Sequence, residues 1–214
     1  MTIPDAPLTV FVVDDDEDIR TSLSRALSKR GYQVETHASA RSFLAAYGPG
    51  RGGCLILDYG MPDMDGLELQ RHLNAEGMPI PVVFITGHGG VPESVQAIKA
   101  GAIDFLEKPF RQAALVERIE AAFVISRERL RSQAQSEQKR ARFDRLTARE
   151  MQIVAMIIEH PSETSSKEIA ARLNISPRTV DHHRARILEK LDVRSVAELI
   201  ARAQGDGPGR VPAP

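Results

Sequence analysis

The sequence predicts an α/β domain followed by an all-α domain. Residues 1–125 read as a five-stranded, doubly wound parallel sheet and 126–145 as a long helical linker. Residues 146–204 read as a four-helix unit and 205–214 as a flexible Gly/Pro tail. Three observations predict this. Short continuous apolar runs alternate with amphipathic segments in the first half, as in a parallel sheet covered on both faces. No Gly or Pro occurs between Pro109 and Pro161, so a helix can continue past residue 125. Charge divides at the same place: residues 1–125 hold 11 Lys+Arg and 17 Asp+Glu, a net of −6, and residues 126–214 hold 17 and 12, a net of +5. Opposite charge on two halves points to a different partner for each.

Leu8–Val13 (LTVFVV) is the first strand. Ile19, Leu23, Ala26 and Leu27 give Glu17–Arg30 helical spacing, and Gly31 ends it. Gln33–Thr36 is a weak strand, Ala38–Tyr47 a short helix and Cys54–Leu57 (CLIL) a buried strand. A Pro/Gly loop leads to the helix Leu67–Glu76. Val82–Ile85, the helix Pro92–Ala100, the strand Asp104–Leu106 and a helix from Phe110 complete five strands and five helices. The last helix has an apolar stripe of Leu115, Ile119, Ala122 and Phe123. Beyond Ser126 it lacks an apolar face and carries six Arg/Lys against two Glu over 126–143, which predicts an exposed basic connector. Leu130 and Phe143 are too sparse for a coiled-coil seam.

In the second domain, Thr147 and Glu150 form a capping box before a helix with Ile153, Val154, Ile157 and Ile158 on its apolar face. Residues 160–166 are a loop, Lys167–Leu173 a short helix and Asn174-Ile175 a tight turn. Ser176 caps a helix with Pro177 at its first position, running to Leu191, and Val193–Ala203 is the fourth helix.

Hydrophobic residues at 42% and charged residues at 27% exclude global disorder. A single Cys54, inside an apolar run, excludes an internal disulfide and a thiolate zinc cluster and reads as a small buried hydrophobe. No run of 18 apolar residues predicts a membrane span, and MTIPDAPLTV lacks a secretory pattern, so the cytoplasm is the expected compartment.

Chemistry-bearing residues follow the strands. Asp14, Asp15 and Asp16 follow the first, Asp58 the third, Thr86 the fourth and Lys108 the fifth. Parallel strands bring these ends to one edge, where such sheets bind ligands. Clustered carboxylates need a cation, and an all-oxygen donor set favours Mg²⁺ or Mn²⁺ over zinc. A metal beside Asp58, with Lys108 as a second cation and the Thr86 hydroxyl as a donor, suits a phosphoryl group. The acids at 14–18 also have a simpler reading as helix N-terminal acids. A dinucleotide site would need G-x-G-x-x-G where the acids stand. A haloacid-dehalogenase-type phosphatase would need Thr or Val where Asp18 stands.

The motifs VVDDDED (12–18), LDYGMPDMDG (57–66), ITGHG (85–89) and FLEKPF (105–110) make residues 8–125 resemble the receiver domain of a two-component response regulator, and the block from Ile85 to Phe110 especially resembles the NarL/FixJ family. The resemblance implies a flavodoxin-like fold. It implies Asp58 as phosphoacceptor from a sensor histidine kinase, and Asp14, Asp15, Asp58 and the Gly60 carbonyl as Mg²⁺ ligands. Lys108 would contact the phosphoryl oxygens, Thr86 would turn toward them, and Phe105 would fill the space vacated. Phe105 also reads simply as a packed strand aromatic. Gly60 departs from the larger side chain that many relatives carry, at a position that screens the site from water. His88, in a Gly-rich loop, takes no role.

LTARE (146–150), KEIAARLNIS (167–176) and TVDHHRARILEKL (179–191) resemble the LuxR-type helix-turn-helix domain. By that resemblance Asp181, His182 and Ala185 face bases, Arg178, Arg184 and Arg186 face phosphates, Thr179 lies at the interface, and Lys167 touches the backbone. Asp181 stands where Lys is frequent; an acid accepts from cytosine N4 but repels phosphate. His183 reads as a packing residue. Residues 144–204 hold ten basic against nine acidic residues, which implies weak monomeric binding and favours a dimer on two half-sites.

The expected function is therefore a phosphorylation-switched transcription regulator. Its partners would be a sensor histidine kinase, double-stranded promoter DNA, a second copy on phosphorylation, and RNA polymerase. Beyond self-phosphorylation and self-dephosphorylation it would be no enzyme. Two alternatives remain: a magnesium phosphohydrolase with a helical interaction module, and a DNA-binding regulator insensitive to phosphate.

Overall fold

A computed structural model describes residues 7–78, 80–87 and 91–205. The expectations for the N-terminal residues 1–6, for His88 and for the tail from 206 lie outside the described residues. The chain divides into two compact units, residues 1–133 and 134–214.

The first unit follows the order β1 (Thr9–Val13), α1 (Glu17–Ser28), β2 (Gln33–His37), α2 (Ala40–Ala46), β3 (Gly53–Asp58), α3 (Gly66–Ala75), β4 (Val82–Thr86), α4 (Val91–Lys99), β5 (Asp104–Glu107) and the start of α5 (Gln112–Phe143), a helix whose residues from 134 belong to the second unit. The strands pair in parallel in the order β2-β1-β3-β4-β5. Alternate residues of each central strand enter opposite cores, which is why these strands read as unbroken apolar runs. Phe11, Val13, Leu55, Leu57 and Phe84 pack on one face with Phe43, Leu69 and Leu73. Val10, Val12, Ile56, Val83 and Ile85 pack on the other with Leu23, Leu27, Leu115 and Ile119. Cys54 is buried in that second core, which pushes its thiol pKa far up and makes it inert.

The expected flavodoxin-like arrangement is present, with two refinements. Asp58 and Thr86 are the last residues of β3 and β4 rather than the first residues after them. Helix α5 is one element of 32 residues. Its Ser126 is buried and its Leu130 packs against the second core, so both belong to the first unit.

The second unit contains α6 (Ala148–Glu159), α7 (Ser166–Leu173), α8 (Pro177–Leu191) and α9 (Val196–Gly205). Their core comprises Ile153, Val154, Ile157, Ile169, Val180, Ile187, Leu191 and Leu199, with Phe143 packed against it. The Thr147–Glu150 capping box is present. Helix α7 starts one residue earlier than expected, because Ser165 and Glu168 form a second capping box. Among the described residues no helix is long and apolar enough to cross a membrane.

Candidate functional site

The β1–β3 boundary is the switch point of the sheet, where the chain leaves adjacent strands in opposite directions. Val13 is in register with Leu57, so Asp14 and Asp58 emerge side by side. Thr86 pairs with Glu107, and the Lys108 N–H donates to the Thr86 carbonyl at 2.7 Å, which aims the Lys108 side chain back over the strand ends. Lys108 Nζ lies 2.7 Å from Asp14 Oδ2 and 2.7 Å from Asp58 Oδ1. Asp14 is only 1% exposed and Asp58 7%. Burial pushes the Asp14 carboxyl pKa up against the pull of Lys108. Burial disfavours the Lys108 ammonium, but its hydrogen bonds to Asp14 and Asp58 outweigh that and hold its pKa above the usual lysine value.

The loops are fitted to this corner. Asp14 Oδ1 accepts the Asp16 N–H at 2.9 Å, and Asp58 Oδ2 accepts the Gly60 N–H at 2.9 Å. Gly66 returns the β3–α3 loop against the strand; a Cβ there would lie 2.4 Å from the Asp58 carbonyl oxygen, so only Gly fits. At Gly60 a Cβ would meet nothing closer than Asp58 Oδ2 at 3.8 Å. The simpler reading of the acid run holds for Asp16, which caps α1 by accepting from Asp18 N and Ile19 N. It fails for Asp14.

In the second unit, α7, a left-handed Asn174 (φ 51°) and α8 form a helix-turn-helix. Arg149 of α6 fastens the turn by donating to the Leu173 carbonyl at 2.9 Å. Ser176 accepts from Thr179 N and caps α8, and the Thr179 hydroxyl lies 2.7 Å from Ser176 Oγ. Val180, Ile187 and Leu191 turn inward. Lys167, Arg178, Asp181, His182, Ala185 and Arg186 are exposed, whereas Arg184 is half-buried and donates to Ser166 Oγ at 3.0 Å. His183 is half-buried, with Nδ1 unpaired.

Residues 10–120 match the response regulator receiver domain, and residues 144–203 match the bacterial regulatory proteins of the luxR family. Transcriptional regulatory protein FixJ of Rhizobium meliloti (strain 1021) is 41% identical over 204 residues, covering 94% of this chain and 97% of that protein. Response regulator protein TmoT of Ectopseudomonas mendocina is 38% identical over 196 residues, covering 92% and 88%. The structure of the response regulator StyR superposes with a TM-score of 0.78 at 43% identity, covering 94% of this chain and all of that one. The chain belongs to the NarL/FixJ family of two-component response regulators.

This response regulator brings Asp14, Asp58, Thr86 and Lys108 together at one sheet edge. Asp15 is exposed beside them, and Phe105 is half-buried one strand away, in register with Phe84 and packed on the first core. Among the described residues no three acid, His or Cys side chains close on one point. The donors offered at this corner, the Asp14, Asp15 and Asp58 carboxylates and the Gly60 carbonyl, are nonetheless all oxygen, which fits a hard divalent cation. Two contributions lie outside the sequence expectations: Ser166, expected in a loop, and the pair Glu150–Lys190. The Ser165-x-x-Glu168 spacing was the available signal for the first. No local signal announces the second, because 40 residues separate its members.

Proposed function

We propose that this transcription regulator is switched by phosphorylation of Asp58. The observation that supports the reading is the single Lys108 ammonium shared by Asp14 and Asp58 at a switch point of the sheet. An Asp58 carboxylate oxygen attacks the phosphorus of a phosphohistidine on a sensor kinase. The O–P bond forms as the N–P bond breaks, and the imidazole leaves with its electron pair and takes up a proton. Lys108 stands where it can leave Asp14 and follow the charge developing on the phosphoryl oxygens. Asp14, Asp15, Asp58 and the Gly60 carbonyl would hold Mg²⁺ or Mn²⁺, which when bound supplies further positive charge against those oxygens. Thr86 and Phe105 form the switch: the hydroxyl turns to the phosphoryl group, and the ring follows into the space.

Moving a two-state equilibrium from mostly off to mostly on takes about 5.5 kcal/mol, a magnitude suited to a doubly charged group beside Lys108. The response is homodimerisation through the α4–β5 surface, where Val95 and Ile98 are exposed apolar side chains. The dimer places two copies of α8 on promoter DNA and engages RNA polymerase. The protein acts in the cytoplasm, and its only chemistry is gaining and losing its own phosphoryl group.

The test is the mass in solution with Mg²⁺ and beryllofluoride, a phosphoryl mimic, beside Asp58→Asn. The expected result is a monomer-to-dimer shift in the native chain only. A dimer throughout, or no shift, would instead favour a phosphate-insensitive regulator.

A further inference from the structure

Ser166 occupies the first position of α7, and its side chain crosses to α8. Its hydroxyl bonds the Asp181 carboxylate and lies 3.0 Å from Arg184 Nη1. A hydroxyl has one proton. A guanidinium only donates and an ionised carboxylate only accepts, so donation runs from Arg184 to Ser166 to Asp181. We propose that Ser166 is a specificity-positioning residue: it fixes the Asp181 carboxylate so that α8 selects, at one position of its site, a base offering an exocyclic amino group in the major groove. This rests on the reading of α8 as the DNA-contacting helix.

Three observations carry it. Ser166 is not needed to cap α7, because Ser165 and Glu168 already do so, and its side chain is directed elsewhere. Asp181 is exposed on α8 and acidic, so beside phosphates an unrestrained carboxylate would turn toward solvent. The Ser166 bond holds it on the helix and leaves its remaining lone pairs as acceptors, the complement of cytosine N4 or adenine N6. Finally, Arg184 is half-buried and engaged with Ser166. Its charge is thereby spent on orienting the acid rather than on sequence-independent phosphate contact. The three residues act as one unit, an ordered acceptor backed by a cation.

The experiment selects duplexes from a random pool with the full-length chain, with and without beryllofluoride and Mg²⁺. Each position of the enriched sequence is then replaced by all four base pairs, and affinity is measured for the native chain, Ser166→Ala, Ser166→Thr, Asp181→Ala and the Ser166→Ala/Asp181→Ala double variant. The native chain should prefer C·G or A·T at one position by about tenfold. Ser166→Ala and Asp181→Ala should both flatten that position alone; Ser166→Ala should leave affinity for a scrambled duplex unchanged, whereas Asp181→Ala, which removes a charge that repels phosphate, should raise affinity for every duplex alike. The double variant should be no flatter than Asp181→Ala, and Ser166→Thr should keep the preference. Because Ser165 still caps α7, unchanged binding to the scrambled duplex also reports a folded domain. If Ser166→Ala keeps the native preference, or weakens every duplex equally, the positioning role is wrong while DNA reading by α8 stands. A native chain that enriches no sequence in either state removes the DNA-contacting reading itself, and this inference with it.

Discussion

The Gly53 N–H donates to the Ser126 hydroxyl at 2.8 Å, joining the first residue of β3 to helix α5 across 73 residues of sequence. Both groups are buried. Gly53 is required here because a Cβ would lie 1.9 Å from the Thr9 carbonyl oxygen of β1. Ser126→Ala should leave a buried N–H unpaired and cost about 1–3 kcal/mol. All three tyrosines, at positions 32, 47 and 59, lie in the first unit, so urea denaturation followed by tyrosine fluorescence reports on it. An unchanged midpoint would show that the bond holds nothing.

Lys108 sits between two carboxylates that would otherwise repel each other. Lys108→Met should slow labelling of Asp58 by a small-molecule phosphodonor by about 100-fold, the usual effect of losing one preorganised charge-stabilising donor. Intact mass over time measures it. Labelling at the native rate would remove Lys108 from the reaction.

Gly60 leaves open space over Asp58. Gly60→Met should fold normally and screen the phosphorylated carboxylate from water. The lifetime of phospho-Asp58 should lengthen by about tenfold, equivalent to about 1.4 kcal/mol on the hydrolysis barrier. The decay of the phosphorylated mass reads this directly, and a shortened lifetime would count against a screening role.

Glu150 is 1% exposed, accepts from Lys190 Nζ at 2.6 Å and completes the cap of α6 by accepting the Thr147 N–H at 2.8 Å. Burial pushes its carboxyl pKa up, but the Lys190 and Thr147 hydrogen bonds outweigh it and hold it below the usual 4.5. A depressed carboxyl stabilises the folded unit above pH 4.5, and that contribution is lost as pH falls through the lowered folded value. Lys190→Met should cost about 1–2 kcal/mol at neutral pH. The difference from the native chain should vanish in acid, once Glu150 is protonated. Hydrogen exchange of α6 amides, corrected for intrinsic rates, checks both halves. A pH-independent difference would mean that packing of the Lys190 stem, not its charge, matters.

Arg178 and Arg186 are exposed on α8, whereas Arg184 is engaged by Ser166. Neutralising either exposed residue should weaken binding to all duplexes and reduce the salt slope by about 0.9. Affinity measured across a salt series tests this, and a slope unchanged by Arg186→Gln would place Arg186 off the DNA backbone.

The sheet was legible because unbroken apolar runs such as VVFI have one economical home, a strand covered on both faces. The caps at Thr147 and Ser176 were legible because capping is local. Reading Asp14 apart from Asp16 was harder: both follow β1, and only register with β3 turns one toward Lys108 while the other caps α1. The first unit's reach to Ser126 and Leu130 was hidden, since one serine and one leucine make no stripe.

The sequence by itself determined the elements, their order and the acids, hydroxyl and lysine at the strand ends, because periodicity and capping act over a few residues. Only the tertiary structure decided which side chains meet: Lys108 with Asp14 and Asp58, Gly53 with Ser126, Lys190 with Glu150, and Ser166 with Asp181. Those contacts join positions 15 to 94 residues apart. Their partners are set by strand register and helix packing, which no local pattern encodes.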